Sequence, residues 1–123
     1  MLATADSAGR PHLVPVTYVA LNEHVYIAVD AKPKRSSDLK RIRNIRANPL
    51  VSMLVDHYSS DWEKLWWVRA DGSATITDFS RLPEGLLGAF QQRYPWYLEH
   101  PPDGPVIDVA VTTWTGWSFT GDG

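Results

Sequence analysis

Seven of the twelve Lys and Arg residues fall in one stretch of this chain: Lys32, Lys34, Arg35, Lys40, Arg41, Arg43 and Arg46. Between Lys32 and Arg46 the only acid is Asp38, so the segment is +6, whereas the whole chain is −2 and the remainder sums to −8. A protein that is acidic overall yet gathers positive charge on one loop and one helix start is equipped to hold an anion there. The charges begin at a strand end and run into a helix N-terminus, where free N–H groups add to the attraction. Pro33 stiffens the loop Lys32-Pro33-Lys34-Arg35. A phosphate-bearing small ligand fits such a segment, with RNA as the rival and a solvated helix face as the plain alternative. The acidic remainder weighs against nucleic acid. Neither of the Gly-rich phosphate motifs, GxGxxG or GxxxxGK[ST], occurs.

Other chemistry is sparse. His12, His24, His57 and His100 are widely spaced, with no i, i+4 pair of the kind that ligates zinc on a helix. Asp56, His57 and Asp61 cluster in sequence but make at most a partial metal site, and no metal is expected. No nucleophile elbow accompanies the Ser, His and Asp residues. Trp66 and Trp67 have opposite facings on a strand. One is expected in the core and the other against a ring-shaped ligand or a partner subunit.

The elements that must position these residues follow from periodicity. Met1–Ala5 reads as the end of a strand, and Asp6 to Gly9 as a turn. His12–Leu21 alternates with both faces largely apolar, and Pro15, which donates no ladder bond, marks a bulge or an edge. Asn22, Glu23 and His24 turn the chain into a strand over Val25–Asp30. A helix over about Ser37–Ala47 carries Leu39, Ile42 and Ile45 as its apolar stripe, so Lys40, Arg41 and Asn44 are predicted to face away from it. Pro49 stops the helix. Leu50–Tyr58 is a strand. Leu65–Asp71 is another, extended through Ser73–Thr77 beyond a bulge or bend at Gly72. Pro83–Tyr94 reads as a short helix docked by Leu86, Leu87 and Phe90, and the prolines from Pro95 to Pro105 predict irregular chain up to Val106. Val106–Trp114 is the last strand, and Gly116–Gly123 a tail. About six strands joined mostly by short turns predict a mainly β fold, a small antiparallel barrel with short helices.

At 123 residues the chain is read as one domain. It has no Cys, which excludes disulfides and Cys-ligated metals and agrees with a cytoplasmic setting. No apolar run reaches the roughly 18 residues of a membrane span, so no membrane partner is expected.

The runs LATADSAGRPHLVPVTY, VYIAVDAKPKR, RIRNIRANPLVSMLVDHY, WEKLWWVRADG and GPVIDVAVTTWTGWS together resemble the pyridoxamine 5′-phosphate oxidase-like split-barrel family of flavin and deazaflavin proteins. Within it they resemble most the actinobacterial branch that uses coenzyme F420, a deazaflavin. The resemblance covers nearly the whole chain apart from the loop around Ser80–Asp103.

The resemblance implies a six-stranded antiparallel split barrel over residues 1–123. The sequence departs from the family pattern at Met1-Leu2-Ala3, where a helix and a complete first strand are usual, so the expectation is that the N-terminal helix is absent, the start being truncated or the first strand short. It implies a homodimer with two cofactor sites at the interface. Lys40 and Arg41, ahead of Asn44, fall where the family places its phosphate-binding pair, with Lys34 and Arg35 assisting. The ring system would rest against Pro15, Val16 and Thr17, with Val29 and Asp30 nearby, and Trp67 or Trp66 would come from the partner subunit. The implied chemistry is hydride transfer between reduced coenzyme F420 and a small organic substrate. FMN, in a flavin reductase or oxidase of the same fold, is the alternative, and a non-catalytic carrier of a cofactor, haem or another tetrapyrrole is a further one. Hydride chemistry resides in the cofactor, which accounts for the lack of an acid–base constellation. The charge of +6 exceeds what one phosphate requires, and the surplus suits the acidic glutamate tail of the deazaflavin.

Overall fold

The computed structural model of the chain describes residues 1–29 and 36–121, the side chains of 36–39 excepted. The strands are β1 (Leu2–Ala5), β2 (Pro11–Val14), β3 (Tyr18–Leu21), β4 (His24–Ala28), β5 (Leu50–His57), β6 (Trp66–Thr77) and β7 (Val106–Ser118). The helices are α1 (Ser36–Ala47), α2 (Leu86–Arg93) and α3 (Trp96–Glu99). All strands join one antiparallel sheet in the order β2-β1-β5-β6-β7-β4-β3.

The two edge strands, β2 and β3, are neighbours in sequence. Pro15, Val16 and Thr17 join them, so Val14 and Tyr18 lie within about 14 Å of each other, the reach of four extended residues. The sheet must therefore curl until its edges meet, and the chain itself closes the cylinder where no ladder does: a split barrel. The expected single strand over His12–Leu21 is thus two strands, which raises the count from six to seven. Pro15 sits at the break because it has no N–H to pair.

Alternation sorts the faces. Leu2, Val25, Ile27, Val29, Val51, Met53, Ala70, Ala74, Ile107 and Val109 fill the barrel, and Ile45 of α1 completes the cluster from one end. A second cluster lies outside the barrel, where Leu86 and Phe90 of α2 pack on Tyr26, Ala28 and Val106. Leu87, expected to dock this helix, is partly exposed; the i, i+4 pair Leu86 and Phe90 does the docking. The helix starts at Leu86 rather than Pro83, after Gly85 at φ 86°, a left-handed value that suits glycine. Irregular chain was expected after Pro95, yet Trp96–Glu99 forms the single turn α3, with Pro95 tolerated at its start.

The β3–β4 hairpin turns on Asn22 and Glu23, at φ 52° and 66°, the double positive φ of a type I′ turn. On β7, Thr112 is an extra residue: Asp71 pairs with Thr113 but Gly72 with Val111. A Cβ on Gly72 would lie 2.2 Å from the Ala110 carbonyl oxygen, so only glycine permits this approach. The bulge reverses which β7 residues face inward, and it places Trp114 on the same face as Ala70. Beyond it β7 continues to Ser118, so the expected tail from Gly116 is in part strand, pairing with Trp66, Trp67 and Val68.

Candidate functional site

The helix α1 is held over one end of the barrel by apolar and polar contacts. Ile45 is buried and Ile42 packs beside it. Asn44 is also buried, and its Nδ2 donates to Thr4 Oγ1 at 3.1 Å. This corrects the expectation that Asn44 faces away from the apolar stripe: its amide is tied to β1. Thr4 and Asn44 are the buried polar residues among those described, and each satisfies the other.

Lys40 and Arg41 precede Asn44 by four and three residues, so both lie one turn along the same side of α1. Lys40 is exposed and Arg41 half-buried. Across from Thr4 in the β1–β2 ladder stands His12. Directly opposed residues share a face, so His12 points toward the barrel end that α1 covers. Its Nδ1 is buried with no hydrogen-bond partner among the described residues. Burial, then the positive charges of Lys40 and Arg41, push the imidazole below its ordinary value. His12 was not singled out from sequence; its alternation with Val14 was the available signal. Asp6 also meets this cluster. Backbone N–H groups of Arg10 and Ala8 hold its carboxyl below the usual range, with Arg10 and Lys40 adding to the effect.

The crossover Pro15–Thr17 follows His12 along the chain. Pro15 is exposed, and Val16 packs against the barrel core. The Thr17 hydroxyl is 2.8 Å from the Tyr97 hydroxyl. The Tyr94 hydroxyl accepts from the Tyr18 N–H at 3.0 Å and donates to the Tyr18 carbonyl. Two tyrosines from the α2–α3 region thus pin the segment that joins the barrel edges. Val29 is buried in the core, and its N–H donates to Pro105 O at 3.0 Å. Lys34, Arg35 and Asp30 lie outside the described residues.

Trp66 and Trp67 do face opposite ways, but neither fills the core, correcting the expectation for one of them. Trp66 is 40% exposed and stacks with His57 at 6.2 Å between ring centroids. It lines an apolar hollow of about 330 Å³ with Tyr18, Met53, Val68, Trp114 and Arg93. Trp67 lies on the outer face opposite Trp117, with the Arg69 guanidinium 5.8 Å from its ring centroid. The basic pair and the tryptophans are therefore not brought together within one chain. Among the described residues, no group of three or more His, Asp or Glu is arranged to hold a metal.

The donor set at the α1 end suits a phosphate: a helix-borne Lys and Arg, and a buried imidazole nitrogen without a partner. The family description pyridoxamine 5′-phosphate oxidase matches residues 1–118. The chain belongs to the pyridoxamine 5′-phosphate oxidase family. No curated protein matches its sequence. Among solved structures, the chain is similar to a FAD-binding protein from Mesorhizobium loti, with 25% identity and TM-score 0.59 over 94% of this chain and 81% of that one. It is similar to HutZ, the heme storage protein of Vibrio cholerae, with 17% identity and TM-score 0.69 over 95% and 82%. It is also similar to the conserved hypothetical protein Rv2991 of Mycobacterium tuberculosis, with 21% identity and TM-score 0.67 over 95% and 74%. Solved structures of similar fold thus include a FAD-binding protein and a heme storage protein.

Proposed function

We propose that this member of the pyridoxamine 5′-phosphate oxidase family is an oxidoreductase that binds coenzyme F420 and transfers a hydride between it and a small organic substrate. The observation that supports this reading best is the cation pair Lys40 and Arg41 above the barrel end. Along β2 from His12, the crossover Pro15–Thr17 begins about 10 Å away at a strand's rise per residue. A ligand with its phosphate at Lys40 and Arg41 could lay a ring against Val16 and Thr17, which Tyr97 and Tyr94 hold in place. The bound deazaflavin would supply the hydride chemistry itself. The chain's own part is to anchor the phosphate, orient the ring and keep water from one of its faces. Asn44 serves by fixing α1 to β1 rather than by meeting the ligand.

We further propose a homodimer. Leu13 and Leu50, both more than 60% exposed, lie with Trp67 and Trp117 on the outer sheet face. A second copy covering that face would bring the tryptophans toward the partner's basic site.

FMN in the same place is the second reading, supported by the likeness to a FAD-binding protein. Titration of the dimer with coenzyme F420 and with FMN, read by tryptophan fluorescence, separates them. Tighter binding of coenzyme F420 supports the first reading; preference for FMN moves it to a flavin reductase or oxidase. Tight binding without turnover, or preference for haem, makes the protein a carrier. Replacing Lys40 and Arg41 with Ala should weaken cofactor binding at least tenfold, since charge-assisted bonds contribute about 1.5–3 kcal/mol each. Unchanged affinity would refute the phosphate site.

A further inference from the structure

The buried Nδ1 of His12 stands without a partner among the described residues, on the face it shares with Thr4 and within the field of the helix-borne cations Lys40 and Arg41. A buried polar atom in a folded protein is ordinarily satisfied, and an exception calls for an absent partner. The neighbours of His12 show what that partner would be. On β1 it faces neutral Thr4, whose hydroxyl is taken by Asn44. On α1 it meets Lys40 and Arg41. At the β1–β2 turn stand Arg10 and Asp6, and Oδ1 of Asp6 accepts from the Ala8 and Arg10 amides. None of these described neighbours makes a hydrogen bond to His12 Nδ1, and most of the charge is positive.

We propose that His12 is a third anion-binding residue, and that it takes up a proton as an oxyanion binds beside Lys40 and Arg41. This deepens the reading of Lys40 and Arg41 as a phosphate site and rests on it. The ligand class is a dianionic tetrahedral oxyanion, such as a phosphate monoester. Without ligand, burial and the two cations hold the imidazole below its ordinary value and so disfavour its protonated form. The arriving dianion reverses the local field, and the protonated ring then donates to one of its oxygens. No bond is made or broken except that to the proton, which comes from solvent.

The sign of the linkage follows. The folded, ligand-free chain holds its His12 proton less tightly than the unfolded chain does. His12 therefore costs no stability above its ordinary value of 6.5, and it destabilises the free protein progressively as pH falls through the lower folded value. With anion bound the order reverses, so binding strengthens as pH falls.

The test is calorimetric titration of the full chain with FMN and with sulfate, between pH 5.5 and 8.5, in two buffers of different ionisation enthalpy. Sulfate does not titrate in this range, so protons taken up on its binding come from the protein. Wild type should take up protons near neutral pH, and both affinities should rise as pH falls. His12→Gln should abolish the sulfate-linked uptake, bind FMN about tenfold more weakly at pH 6, and converge with wild type at pH 8.5. His12→Arg, which keeps a permanent charge, should bind tightly with no proton uptake. It also serves as the second variant should the first fold poorly. Sulfate-linked uptake that persists in His12→Gln, or wild-type binding without uptake, would overturn the role of His12. In that case a loss of affinity on replacing Lys40 and Arg41 would still leave the phosphate site standing; indifference of FMN to both changes would remove the site as well.

Discussion

At the scale of the residue, a single buried hydrogen bond fixes where the basic pair points. Asn44 and Thr4 satisfy one another beneath α1. Thr4→Val should leave the Asn44 amide buried and unpaired, at a cost of about 1–3 kcal/mol. Urea denaturation reads that loss directly, and the paired change with Asn44→Leu should recover part of it, because both polar groups are then gone. Sequence periodicity mistook the facing of Asn44. It counts apolar positions, and a polar side chain that is buried because it has found its partner leaves no trace in such a count. Asp71 gives a pH signature of its own. A hydrogen bond from the Ser52 hydroxyl, then one from Arg69, holds its carboxyl below the usual range. A depressed folded value means that this stabilisation is complete above 3.8 and is lost as pH falls through the lower folded value. The stability gap between wild type and Asp71→Asn should therefore narrow on acidification below about pH 4, a trend that thermal melts across the range would follow.

At the scale of the element, the β6–β7 hairpin shows how one residue sets the facing of others. Thr112 is the extra residue in the ladder, and Gly72 lies against the Ala110 carbonyl where no Cβ fits. Gly72→Ala should cost more than about 2 kcal/mol, since the obstacle is backbone rather than a flexible side chain. Gly116→Ala, whose Cβ would meet its nearest neighbour at 3.7 Å, should be nearly neutral. Denaturant midpoints of the two variants make a matched comparison, and equal values would show that the strand yields. The irregularity at Gly72 was legible because an isolated glycine in a strand pattern is unusual. The break at Pro15 was legible as a proline, but not as the place where one strand becomes two. That outcome depends on the sheet closing, which no local window contains. The α3 turn was missed for the converse reason: a proline that ends one helix can open the next.

At the scale of the whole molecule, the antiparallel β architecture and its near-complete family resemblance were readable from motif order alone. What was not readable is how the two ends of the cylinder differ. Helix α1 covers one, where Lys40, Arg41 and His12 gather, while Trp66, Trp114 and Arg93 surround a shallow hollow on the inner face toward the other strand ends. Sedimentation should report a dimer, and charge placed at Leu50 and Leu13 should yield monomers that bind the cofactor more weakly. A dimer unaffected by both changes would place the interface elsewhere. The split itself has one more consequence. Closing a sheet by chain rather than by ladder leaves two rims of unpaired amides and carbonyls, each open to an invading strand from a stray neighbour. Here both rims are only four residues long, β2 and β3. One of them is bracketed by Pro11 and Pro15, whose missing N–H groups spoil it as a template for growth. The proline at the crossover thus guards the protein against templated aggregation as well as shaping its fold.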